Sequence, residues 1–114
     1  MFVRMYSGDD GQSHFEDLDF FDMWPDHWSM TLANANINFG RRDPGYFNDL
    51  HNESRRQYLI VLSGQMDLTV GDGTTRVLQP GDILLAEDLT GQGHIVRNLG
   101  SKPFQVVTIP LDEQ

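Results

Sequence analysis

Two short stretches of the sequence carry side chains that could do chemistry. The first, HNESRRQ, places a histidine, a carboxylate and an amide at His51, Glu53 and Gln57. Because side chains alternate between the two faces of a strand, these three point the same way if the segment is extended. The second stretch places His94 and Asn98 on one face of another extended run. Imidazole and carboxylate groups bind divalent metals and exchange protons near neutral pH, so either chemistry is open to these stretches.

The elements that must position these residues are short extended runs, separated by turn residues every 8–12 positions. In QMDLTV, Met66, Leu68 and Val70 are expected to face inward, with Asp67 and Thr69 facing outward. The GDG that follows is typical of a hairpin turn. About nine such runs and no convincing helix predict a β-sandwich or a β-barrel.

Two segments nearer the N-terminus have a less regular pattern. WSMTLANANINF, 28–39, is predicted to form one long strand, and a change of its apolar face indicates a bulge or a bend. HFEDLDF, 14–20, is also predicted to be a strand. Ser13 and Glu16 fit a capping box, however, and so leave a short helix over 13–21 as an alternative.

The first stretch resembles the first motif of the cupin superfamily, whose members are small jelly-roll barrels. That motif runs glycine, five residues, His-x-His, three or four residues, Glu, six residues, glycine. The glycine spacing matches, but Glu53 stands in place of the second histidine and Gln57 in place of the glutamate. The residues that occupy the motif are Gly45, His51, Glu53, Gln57 and Gly64.

The second stretch resembles the second cupin motif, in which a glycine, a histidine and an asparagine follow a proline. Gly91, His94 and Asn98 match it, whereas Leu89 replaces the proline. The resemblance covers residues 45 to 98 and, with the strand count, extends to the whole chain. It implies a single all-β jelly-roll domain over residues 1–114, but it does not define an activity, because cupins perform many chemistries.

The jelly roll implied by this resemblance would bring His94 opposite His51. Together with Glu53, these residues form a plausible set for Fe(II), Mn(II), Ni(II) or Zn(II), with open positions for substrate. Gln57 would add a neutral oxygen ligand or orient another ligand by a hydrogen bond. If no metal binds, His51 and His94 are the expected general acid and base, and Glu53 would hold a tautomer or raise an imidazole pKa.

Other polar side chains are candidate substrate contacts. Arg55 is suited to a substrate carboxylate, although an ordinary surface salt bridge is the alternative. His14 would reach the barrel mouth if the N-terminal segment covers it, and otherwise is an exposed strand residue. Gln57 and Asn98 are expected to contact polar groups of the substrate.

The bulk composition excludes several classes of partner. The chain has 17 acidic against 8 basic residues, a net charge of −9, so a nucleic-acid partner is not expected. No apolar stretch approaches the roughly 20 residues that cross a bilayer, and no cysteine is present. Without an apolar leader at the start, the cytoplasm is the expected location. A homodimer that uses the N-terminal strands, within 1–27, would cover exposed strand edges.

These observations predict a protein that acts on a small polar molecule inside the barrel. The first hypothesis is a mononuclear metal site with oxygenase- or lyase-type chemistry. A metal-free lyase or isomerase that uses the same histidines is the second hypothesis. The third is a non-catalytic module that binds a small ligand.

Overall fold

The computed structural model describes residues 1–19 and 36–111. These residues form strands and connecting turns, and no helix among them is long and apolar enough to cross a membrane. The ten strands are β1 (Phe2–Ser7), β2 (Ser13–Asp17), β3 (Asn38–Arg42), β4 (Phe47–His51), β5 (Gln57–Ser63), β6 (Met66–Val70), β7 (Thr75–Leu78), β8 (Ile83–Glu87), β9 (His94–Arg97) and β10 (Phe104–Pro110).

The strands form two sheets that enclose one core. The six-stranded sheet has the order β2-β1-β8-β5-β10-β3, and the four-stranded sheet has the order β4-β9-β6-β7. Neighbouring strands are antiparallel except β1 and β8, which run parallel. This arrangement confirms the predicted all-β jelly roll, although the two sheets do not close into a continuous barrel.

The core contains inward-facing residues from both sheets. Met66, Leu68 and Val70 of β6 are buried, as the alternation in QMDLTV predicts. Asp67 lies on the opposite face of this strand, as predicted, but it is only 4% exposed. β6 lies between β9 and β7, and Asp67 pairs in register with Arg97, so neighbouring side chains cover a face that would be solvated on an edge strand.

The N-terminal hairpin of β1 and β2 extends the six-stranded sheet beside β8. Residues 13–17 form a strand, so the helix considered for this segment does not form there. The long strand predicted over 28–39 is described only at its end, where β3 begins at Asn38. Residues 20–35, which include most of that strand and part of the predicted dimer interface, lie outside the described residues.

Candidate functional site

His51 and His94 are cross-strand partners in the four-stranded sheet. His51 ends β4, His94 begins β9, and the two residues are paired in the antiparallel register. Their ring centroids are 4.4 Å apart, with the ring planes inclined at 51°. The predicted proximity of the two histidines is therefore present. It arises between neighbouring strands of one sheet rather than across a barrel.

Gly93 allows this close approach of β4 and β9. Its φ angle is +79°, a conformation that glycine adopts without a steric penalty. A Cβ atom at this position would overlap the carbonyl oxygen of His51 and the backbone nitrogen of Asn52. The glycine-rich loop before His94 therefore carries that residue into the site.

The protonation of His51 follows from its hydrogen bonds. Its Nδ1 atom lies 2.8 Å from the carbonyl oxygen of Asp49, which can only accept, so Nδ1 carries the hydrogen. The Nε2 atom lies 3.3 Å from Nδ2 of Asn48, whose amide donates. In this tautomer Nε2 is the ring nitrogen that accepts, and its present donor is the amide of Asn48.

His94 lies between two carboxylates and is 1% exposed. Its Nδ1 atom is 2.6 Å from Oδ2 of Asp88, and its Nε2 atom is 3.4 Å from Oε1 of Glu53. Asp88 is fully buried and also accepts a hydrogen bond from the hydroxyl of Ser13 at 2.7 Å. The N-terminal strand β2 therefore takes part in the site through Ser13.

Glu53 is held at the inner edge of the site. Gln57 donates a hydrogen bond from Nε2 to Oε2 of Glu53 at 3.0 Å. Burial raises the pKa of Glu53, the charge of His94 opposes this increase, and the charge of Asp88 adds to it. Since Gln57 uses its amide nitrogen to orient Glu53, the structure favours its orienting role over direct ligation.

The donor set fits a divalent metal ion. Glu53, Asp88 and His94 each offer a ligand atom, and these atoms lie within 4.8 Å of one another. His51 does not belong to this group of described residues. Oδ1 of Asp88 is buried and has no hydrogen-bond partner among the described residues, so the site contains unused negative charge. Because Oδ2 of Asp88 faces Nδ1 of His94, the opposite ring nitrogen faces Glu53 and remains available to an ion.

Three of the predicted substrate contacts lie apart from this group. Asn98 is 1% exposed, and its amide nitrogen donates to the carbonyl oxygens of Arg42 and Lys102. Its Oδ1 atom accepts from the backbone nitrogen of Gly100. These contacts support a structural role for Asn98, because both of its N–H donors are used by the backbone.

The other two predicted substrate contacts that lie apart from the carboxylate–histidine group are Arg55 and His14. Arg55 is exposed in the loop between β4 and β5. His14 lies on β2, where its Nε2 atom is 2.9 Å from both carboxylate oxygens of Asp10 and its ring lies beside Tyr6. It lines a surface depression different from the cavity that contains His51. Their predicted roles in substrate binding stay predictions.

Sequence reasoning did not identify Asp88 and Ser13 as site residues. Both belong to turn-like polar segments in which acids and hydroxyls are usually solvated. The one available signal was that Asp88 directly follows β8 and lies six residues before His94. The pairing of β1 and β2 with β8, which buries both residues, could not be read from that signal.

The chain belongs to the cupin family. The model of the cupin domain (Cupin_2) matches residues 40–110, which include every strand from β3 to β10 except the first two residues of β3. The β1–β2 hairpin lies outside the matched range. A search of curated proteins found no match.

Solved structures share the fold at low sequence identity. A Cupin 2 conserved barrel domain protein from Salinispora arenicola is 22% identical, with a TM-score of 0.57, over 75% of this chain and 69% of that one. An RmlC-like cupin with a double-stranded β-helix fold from Methanocaldococcus jannaschii is 19% identical, with a TM-score of 0.57, over 68% and 69%. The Cupin_2 domain of an XRE family transcriptional regulator from Enterobacter cloacae is 22% identical, with a TM-score of 0.53, over 70% and 83%. These similarities establish the fold alone.

Proposed function

We propose that this protein is a cupin that holds one divalent transition metal and acts on a small polar molecule. The observation that carries the proposal is the orientation of the two imidazoles. Nδ1 of each ring is engaged, by Asp49 in His51 and by Asp88 in His94, so Nε2 is the nitrogen through which each ring would bind an ion. An ion would replace the present contacts of Nε2 with the amide of Asn48 in His51 and with Glu53 in His94. Glu53 lies beside them as the carboxylate of the set.

In this proposal His51 and His94 would hold the ion through Nε2, and Glu53 would hold it through its carboxylate. The ion would supply Lewis-acid polarisation of a substrate oxygen or a redox centre for oxygen chemistry. The chain's own polar groups orient these residues. The amide of Gln57 fixes the carboxylate of Glu53, and buried Asp88 fixes the tautomer of His94.

Elemental analysis and titration with Fe(II), Mn(II), Ni(II) and Zn(II) test the proposal. We expect one equivalent of metal per chain, with affinity at least 100-fold lower in His51→Ala and in His94→Ala. His14→Ala is the matched control, because His14 bonds to Asp10 and is not part of the site. Failure of all four metals to bind, or equal loss in the control, would contradict the proposal.

A metal-free acid–base enzyme is the second candidate, and one observation favours it. His94 has a carboxylate on each side of its ring, and a buried carboxylate at Nδ1 is the arrangement that orients a histidine general base. Glu53 has a raised pKa, which is suited to proton exchange nearer neutral pH. Lyase or isomerase activity that survives removal of metal by a chelator would favour this candidate.

Three expectations from the sequence stay predictions. These are the cytoplasmic location, the absence of a nucleic-acid partner and the homodimer formed through the N-terminal strands. The non-catalytic ligand-binding module also stays open as an alternative function. Light scattering coupled to size-exclusion chromatography tests the dimer, since it measures the mass of the assembly directly.

A further inference from the structure

We infer that the ligand of this site is an elongated carboxylate with an apolar middle section, whose carboxylate pairs with Arg42. This inference rests on the proposed function, because it assigns the substrate class of the site that contains His51. It extends that proposal by assigning the charged group of the ligand to the end of the cavity at Arg42. The cavity, its cross-strand register and the contacts of Arg42 support the assignment.

The cavity lies between the two sheets and has His51 in its wall. Its volume is about 290 Å³, at the lower end of the range for small-molecule sites. Buried or half-buried apolar side chains line its middle section: Leu59, Met66, Val96, Phe104 and Val106. A ligand that fills this space must therefore present an apolar surface to both sheets.

The inward face of β3 forms one side of the cavity. Asn38, Gly40 and Arg42 pair in register with Thr108, Val106 and Phe104 of β10, respectively. Because Phe104 and Val106 are buried, the cross-strand partners on β3 share the inward face. Gly40 has no side chain, and an added Cβ would lie 3.3 Å from Cγ2 of Val106. The glycine therefore leaves space that any other residue would fill.

Arg42 lies at the end of the cavity away from His51. Its guanidinium carbon lies 5.0 Å from the ring centroid of Tyr46, which precedes His51 by five residues. β4 is bulged between Asn48 and His51, and the stretch opposite Tyr46–His51 runs from His94 to Asn98, four residues or roughly 13 Å. A ligand that contacts both Arg42 and His51 must therefore be elongated. Arg42, Tyr46 and His51 all line the same cavity, so one ligand can contact both Arg42 and His51.

Arg42 forms no ion pair with a carboxylate of the described residues. Its guanidinium lies over the ring of Tyr46 and donates a hydrogen bond from Nη1 to the carbonyl oxygen of Arg41. Four other arginines, by contrast, do form ion pairs: Arg4, Arg41, Arg56 and Arg76. In a chain of net charge −9, this guanidinium is available to an anion. Its planar fork matches a carboxylate.

Calorimetric titration with octanoate and octanamide tests the inference, since the two probes share length and shape but differ in charge. The protein is treated with chelator first, so that a metal cannot bind the carboxylate. We expect octanoate to bind roughly fivefold or more tightly than octanamide, because an ion pair at a partly solvated rim contributes modestly. High salt should reduce this preference.

Three variants locate the binding. Arg42→Met should abolish the preference for octanoate, whereas Arg76→Met, which removes an arginine outside the cavity that pairs with Asp17, should preserve it. Gly40→Val should weaken both probes, because its side chain would fill the cavity beside Val106. No saturable octanoate binding, equal binding of both probes, or an unchanged preference in Arg42→Met would overturn the inference. Unchanged binding of both probes in Gly40→Val would show that they bind outside this cavity, and it would also overturn the inference.

The outcome of the octanoate experiment can be distinguished from the outcome of the metal titration. Chelated protein that prefers octanoate through Arg42, but binds no metal in the separate titration, would contradict the metal proposal alone. Protein that binds metal through His51 and His94 but does not distinguish the two probes would contradict the carboxylate inference alone.

Discussion

Nδ1 of His94 and Oδ2 of Asp88 are 2.6 Å apart, and both side chains are buried. The same carboxylate oxygen accepts the hydroxyl hydrogen of Ser13 from the N-terminal hairpin. The cupin model matches only residues 40–110, so a strand outside the matched range supports the orientation of a site histidine. The site and the hairpin are thus linked through one buried carboxylate.

Substitution of Asp88 by asparagine should weaken metal binding. The variant keeps the size of the side chain but removes the charge that makes Nε2 of His94 a stronger donor. Loss of such an outer carboxylate typically lowers metal affinity by about 10- to 100-fold. Calorimetric titration with Zn(II) measures the effect. Asp43→Asn, an exposed carboxylate that pairs with Arg41, is the control and should be unchanged. Equal affinities for Zn(II) in the unmodified protein, Asp88→Asn and Asp43→Asn would exclude the positioning role of Asp88.

Gly93→Ala should destabilise the fold and misalign the two histidines. The added Cβ would overlap the backbone of His51, and the positive φ angle adds a cost of about 1–2 kcal/mol. We expect a total loss of more than about 3 kcal/mol in the free energy of unfolding, measured by urea denaturation.

Gly73→Ala is the matched control for this experiment. Gly73 also has a positive φ angle, +90°, but its added Cβ would have no neighbour within 4 Å among the described residues. It should cost only the conformational penalty of about 1–2 kcal/mol. If both variants lose the same stability, the approach of Gly93 to His51 contributes nothing beyond its backbone conformation.

The ion pairs of Glu87 should give the protein a pH-dependent stability. Burial acts to raise the pKa of Glu87, but hydrogen bonds from Arg4 and Arg56 outweigh it and hold the pKa below its ordinary value of 4.5. A lowered carboxyl pKa stabilises the fold above the unfolded pKa, and this contribution is lost as pH falls through the folded pKa. Glu87→Gln should therefore lower the free energy of unfolding by about 1–2 kcal/mol at pH 7.

The difference in stability between Glu87→Gln and the unmodified protein should begin to narrow below pH 4.5, where the carboxyl of the unfolded chain becomes protonated. It should disappear as pH falls through the lower pKa of the folded state. Glu16→Gln is a suitable comparison, because Glu16 pairs with Arg4 at an exposed position. It should change stability by less than about 0.5 kcal/mol. A difference for Glu87→Gln that stays constant from pH 7 to pH 3 would contradict the ion-pair explanation.

Asn98→Ala should reduce stability while leaving metal binding intact. The variant loses the hydrogen bonds to Arg42, Lys102 and Gly100, with an expected loss of about 2–3 kcal/mol. Denaturation and Zn(II) titration of the same sample separate the two effects. If stability is unchanged and ligand binding is lost, the original expectation that Asn98 contacts substrate would be supported instead.

The sequence predicted the jelly roll and part of its site for a physical reason. Turn glycines such as Gly45 and Gly64 have positive φ angles, and their spacing reflects strand lengths that the fold requires. One short local pattern contains His51, Glu53 and Gln57, so their proximity follows from the chain itself. His94 belonged to a second pattern of the same kind.

What the sequence could not predict depends on contacts between distant strands. The parallel pairing of β1 with β8 places Ser13 over Asp88, and neither residue has a local pattern that distinguishes it from a surface turn. Arg42 was not proposed because its inward orientation follows from pairing with Phe104, 62 positions away in the chain. Arg55 received the expected carboxylate-binding role instead because it is close to His51 in sequence.

The most direct measurement of the central claim is histidine ¹⁵N NMR spectroscopy of the metal-free protein during titration with Zn(II). Before addition, Nδ1 of His51 should carry hydrogen toward the carbonyl oxygen of Asp49, and Nδ1 of His94 should carry hydrogen toward Asp88. On addition of one equivalent, Nε2 of both residues should shift, whereas His14 should be unaffected. Unchanged spectra of His51 and His94, or a shift confined to His14, would contradict the proposed metal site.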